Sequence, residues 1–148
     1  MRRPARLLPL LFFVMVGCGG DDDEGTPDSR VSDASQAGNV GFAGCGNTVP
    51  FADRTGATDS RQMTVATVGS DFTYSPKCMR IKQGQSVSIE SSSFHPLQAK
   101  SGNPGSEIVT TTTTRTVTLA SLGVYAFYCG NHGTASGGGL AGAIEVVP

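Results

Sequence analysis

The segment YAFYCGNHGTASGGGLAGAIEVV (residues 125–147) decides how this chain is read. An aromatic run ending at Cys129 enters a loop of glycine, serine, threonine and alanine, then returns through the apolar run Ala141–Val147. Residues with β-branched and aromatic side chains on both sides of a small-residue loop predict two paired strands. Cys129 and His132 stand three apart where the first strand meets the loop, so both point into one neighbourhood.

Outward from this hairpin, further segments carry the same strand signature: QMTVATV (62–68), CMRIK (78–82), SVSIES (86–91) and VTTTTTRTVTLA (109–120). Gly69-Ser70-Asp71, Ser75-Pro76, Gln83-Gly84-Gln85, the Ser101–Gly105 stretch and Leu122-Gly123 supply the turns between them. No segment holds an apolar period of 3.6, and there is no internal repeat. Short strands at this spacing predict an all-β domain, a sandwich or small barrel, over residues 40–148. The threonine run 110–114 alternates acceptably with Val109, Val117 and Leu119 and is expected to form a sheet edge.

Composition removes whole classes of function. The chain has 148 residues and a net charge of -1, so it offers no basic surplus for nucleic acid. It holds only two histidines and four cysteines. That stock excludes a three-histidine zinc site, a trinuclear copper cluster and a second catalytic copper.

The second histidine, His95, lies in FHPL (94–97), just after the strand SVSIES. With Cys129 and His132 it makes a His₂Cys donor set. A soft thiolate favours Cu(I) and imidazole accepts both oxidation states, so the set suits one copper ion cycling between Cu(I) and Cu(II). At these residues the chain resembles the cupredoxins, and among them the plastocyanin-like blue copper proteins. Tyr125, Phe127, Tyr128, Cys129 and His132 match the family's terminal signature, as do Gly142, Ile144 and Val146. FTYSPKCMRIKQGQSVSIES (72–91) is similar to the family's strand pair before the first ligand. The resemblance, over residues 62–148, implies a Greek-key β-sandwich with copper at one end, held by His95, Cys129 and His132.

Two departures from the family pattern bear on the site. The position that resembles the family's axial methionine is Leu140, and no methionine stands in the loop. An aliphatic axial residue would leave copper nearly trigonal, with the carbonyl of Phe94 as a distant contact; the alternative is a shifted register with water or a backbone oxygen there. Second, Pro96 stands where plastocyanins carry an asparagine that ties the ligand loops. Proline donates no hydrogen bond, and Ser91, Ser92 or Ser93 is left to compensate.

The N-terminus reads as an export signal over residues 1–17. Arg2, Arg3 and Arg6 precede LLPLLFFVMV (7–16), an apolar stretch too short to span a bilayer as a helix. VMVGC (14–18) resembles the lipobox of bacterial lipoproteins, departing at Met15, which makes Cys18 the candidate for acylation. Multiple acyl chains would anchor the protein durably to a membrane of the cell envelope. The acidic, glycine-rich stretch that follows, within residues 18–39, reads as a disordered tether.

With Cys18 assigned to lipid and Cys129 to metal, Cys45 and Cys78 form the expected disulfide of an exported protein. On the chain-entropy estimate that bridge would contribute about 3–4 kcal/mol. Together these features predict a monomeric, non-enzymatic electron carrier with protein redox partners. The alternative is a copper carrier or storage protein of the envelope using the same ligands.

Overall fold

The computed structural model describes residues 39–148, and the export signal, Cys18 and nearly all of the tether lie outside them. Nine strands follow in order: β1 (Ala52–Asp53), β2 (Gln62–Val68), β3 (Asp71–Ser75), β4 (Cys78–Lys82), β5 (Ser86–Ile89), β6 (Leu97–Ala99), β7 (Arg115–Thr118), β8 (Gly123–Gly133) and β9 (Gly139–Val147). One sheet has the order β1-β4-β9-β8-β6 and the other β3-β2-β5-β7. The chain passes repeatedly from sheet to sheet between β3 and β8, which gives the sandwich its Greek-key connectivity. The expected all-β sandwich is therefore present, with β4 and β9 running parallel from Cys78↔Ala143 to Lys82↔Val147.

Between the sheets, Met63, Ile81, Val87, Phe127 and Ile144 interdigitate in one core with Cys129 and Leu140. Period two along β8 and β9 sends alternate residues to the opposite face of their sheet. There Val124, Ala126, Ala141 and Ala143 are buried as well, beneath Phe42, Ala43 and the Cys45–Cys78 disulfide of the segment preceding β1. A sheet covered on both faces needs apolar residues at consecutive positions, which is why 124–129 and 140–144 read as continuous apolar runs. The disulfide is the expected one, with a Cα–Cα distance of 5.6 Å and a sequence separation of 33.

The threonine run departs from expectation. Only Arg115–Thr118 of the segment 109–120 is strand, paired with β5. Threonine hydroxyls compete with neighbouring strands for backbone groups. The N–H of Thr113 donates to Thr111 Oγ1, and that of Ser91 donates to Thr114 Oγ1, both at 3.2 Å. Thr111 keeps a single bridge to Leu97. The short strands β1 and β6, of two and three residues, are too brief to show a period in the sequence.

Candidate metal centre

The register of β6 against β8 builds the site. Leu97 pairs with Cys129, so His95, two residues earlier, reaches the level of Asn131 and His132. The pairing continues past the strand, where the N–H of Gly130 donates to the carbonyl of Pro96 at 2.8 Å. Asn131 Nδ2 donates to the carbonyl of Phe94 at 3.0 Å, a second tie between the two ligand loops.

Three donors converge as expected from the sequence. Cys129 Sγ lies 3.9 Å from His95 Nδ1 and 3.6 Å from His132 Nδ1, and all three ligand atoms fall within 4.8 Å of one another. Ordinary metal–thiolate and metal–imidazole bonds in a trigonal plane separate their donors by about 3.5–3.8 Å, so the cluster fits one metal ion with little movement. Cys129 is wholly buried and, among the described residues, it is the one cysteine outside a disulfide. His95 and His132 are half-buried. Burial, followed by the proximity of His132, holds the His95 imidazole below its usual pKa, with Glu90 opposing. A neutral imidazole is the form that ligates.

Serines replace the tie that Pro96 cannot make. The Ser91 hydroxyl, 6% exposed, faces the carbonyls of His95 at 3.1 Å and Thr111 at 2.9 Å, and it accepts from the N–H of Leu97 at 3.2 Å. Ser92 Oγ accepts from the N–H of His95 at 3.0 Å. Ser93 is exposed and stands apart from this network.

Two phenylalanines flank both histidine rings, and the sequence alone did not single out Phe72. Its ring centroid lies 4.6 Å from His95 and 4.9 Å from His132, while Phe94 lies 4.7 and 4.8 Å from the same rings. Edge-to-face aromatic packing of this kind fixes ring orientation. Phe94 nevertheless remains 59% exposed. Beside it, His132 lines a shallow cleft of about 410 Å³ with Asp71, Phe72 and Lys77.

Deeper in the core, Tyr74 packs edge-on against Phe127 at 5.0 Å, and its buried hydroxyl has no hydrogen-bond partner among the described residues. Burial, then the nearby Cys129 and Glu90, pushes the Tyr74 phenol well above its usual pKa, so it stays neutral.

Leu140 is wholly buried in the same core as Cys129. Gly133 is paired with Gly139 across the end of the hairpin, and a side chain at Gly133 would run into the carbonyl of Leu140. Ligand hairpin and Leu140 are thus in close backbone contact, a packing that only glycine permits.

Fold and site together define an all-β sandwich carrying a His₂Cys cluster whose spacing could hold a metal ion. No family model and no curated protein matches the chain. Among solved structures, it is similar to pseudoazurin from Methylobacterium extorquens AM1, at 19% identity over 57% of this chain and 71% of that one, with a TM-score of 0.44. Amicyanin from Paracoccus versutus matches at 17% identity over 62% and 85% of the two chains, with a TM-score of 0.40. A copper-containing nitrite reductase from Thermus scotoductus SA-01 matches at 21% identity over 67% of this chain, with a TM-score of 0.42; the match spans only 25% of that enzyme.

Proposed function

We propose that the protein is a type 1 (blue) copper protein that carries single electrons between redox partners. One observation carries this reading: both histidines of the chain meet a free, buried cysteine with all three donors within 4.8 Å. One soft thiolate and two imidazoles suit copper in both its oxidation states. Copper bound there would supply a reversible one-electron step between Cu(I) and Cu(II).

The chain's own residues supply the rest. Burial keeps water from the Cys129 sulfur. Ser91 and Ser92 hold the backbone of His95, while Phe72 and Phe94 hold both rings. Such restraint limits ligand movement between oxidation states, which favours fast transfer. His132 borders the cleft and is followed by small residues, so a partner can approach its edge closely. On this reading Leu140, buried in the same core as Cys129, would stand at the axial position, and the Phe94 carbonyl would be a distant contact. Two histidines leave no ligands for a second, substrate-reducing copper, which argues for a carrier rather than an enzyme. The export signal and Cys18 support a lipid-tethered monomer at the bacterial cell envelope, reaching its protein partners from a membrane.

Adding Cu(II) to the purified protein tests the reading. One equivalent is expected to produce an intense visible band from Cys129 thiolate charge transfer, absent in Cys129→Ser with the fold intact. A colourless wild type overturns the assignment, and a coloured protein that exchanges electrons slowly would be a copper store.

A further inference from the structure

We propose that the extension ahead of β1 is a positioning element of the metal centre, in which the Phe42–Ala43 turn braces the ligand loop at Gly137. The inference deepens the copper reading and rests on it only for what the braced loop is for.

The loop needs an outside support. Residues 133–139, GTASGGG, carry no side chain large enough to anchor them in a core, and glycine-rich chain loses the most conformational freedom on folding. Internal bonds shape the turn: Gly137 N–H donates to the Thr134 carbonyl at 2.9 Å, Thr134 N–H to the Gly138 carbonyl at 3.0 Å, and Gly138 N–H to Thr134 Oγ1 at 2.9 Å. None of these ties the turn to the sandwich.

The extension does. Gly137 is buried at φ +94°, and a Cβ placed on it would lie 2.5 Å from the Ala43 nitrogen, 3.1 Å from its Cα and 3.4 Å from the Phe42 ring. The two backbones are therefore in direct contact. Ala43 itself adopts φ 55°, the left-handed region that a residue with a Cβ disfavours. A strained residue persists only where its surroundings over-determine it, and such residues gather at ligand clamps. Here the surroundings are rigid at both ends. Cys45 is bonded to Cys78 of β4, which pairs with β9, and Asn39 Nδ2 donates at 2.8 Å to Asn103, whose side chain also bonds Ala126 of β8. From Gly137 the contact chain continues through Gly139, which lies against the carbonyl of His132. The disulfide and the turn thus brace, from the outer face of the sheet, the segment that follows His132 and leads to Leu140.

Amide hydrogen exchange on the metal-free full chain tests the brace. Phe42→Ala, or reduction of the disulfide in the wild type should that variant fail to fold, is expected to speed exchange at Gly137 and Gly138 about tenfold or more, while amides between β2 and β5 keep their wild-type rates. In the copper-loaded protein the same change should alter the ratio of visible bands. Unchanged exchange at these two glycines, equal acceleration throughout the sandwich, or a copper spectrum identical to wild type overturns the proposal. Exchange is read without metal, so it decides the brace even where the wild type develops no copper band.

Discussion

Leu97 and Cys129 face each other across β6 and β8, and this pairing brings His95 to the thiol. The two histidines come from segments 37 residues apart, so a slip of one residue in a three-residue strand would send His95 to the wrong face. Ser91, buried under the loop, holds that register from the side opposite to Gly130 and Asn131.

Replacing Ser91 with alanine should therefore affect metal as well as fold. The carbonyl of His95 would keep the N–H of Ser92, and the N–H of Leu97 would keep the carbonyl of Thr111, so the lost hydroxyl should cost about 0.5–1.5 kcal/mol. Metal affinity should fall by about tenfold or more, the usual effect of removing a group that orients a ligand. Chemical denaturation and copper competition with a chelator measure the two effects. Lost stability with unchanged affinity would show that Ser91 acts on the fold alone.

Leu140→Met should lower the reduction potential by tens of millivolts or more, because a thioether stabilises Cu(II) more than an aliphatic side chain does. For a one-electron couple, ~60 mV is a tenfold change in the equilibrium. Voltammetry and the visible band ratio report it. An unchanged potential and spectrum would mean that Leu140 serves only the core.

Acid should weaken the metal-free protein through His95. Its folded imidazole titrates below the ordinary value of 6.5, so as pH falls the unfolded chain takes up this proton first. Stability from this group is complete above pH 6.5, declines below it, and levels off under the folded value. His95→Gln should flatten that part of the curve. A metal-free wild type equally stable on both sides of this window contradicts the burial argument.

Expressed in a bacterium with its own signal, the protein should sediment with membranes, and Cys18→Ala should release it to the soluble fraction. Wild-type protein found soluble in the periplasm would remove the lipid anchor and leave the copper site untouched.

The sequence by itself determined the donor set, the disulfide partners and the bounds of β2 and β4. These features are local or combinatorial: alternation over 62–68 and 78–82, a Cys-x-x-His at a strand end, and so few histidines and cysteines that their roles exclude one another. The tertiary structure decided the rest. Whether Ser91, Ser92 or Ser93 supports the ligand loop depends on which hydroxyl is turned inward. That Phe72 touches both histidines depends on β3, five residues long, lying over the metal end. The threonines of 110–114 carry strand propensity, yet their hydroxyls found backbone partners in the loops beside them. Nor could the sequence show Phe42 and Ala43 seated against Gly137, more than 90 residues away. Contacts at such separation are set by which faces remain to be covered once the sandwich has closed, and no local period encodes that.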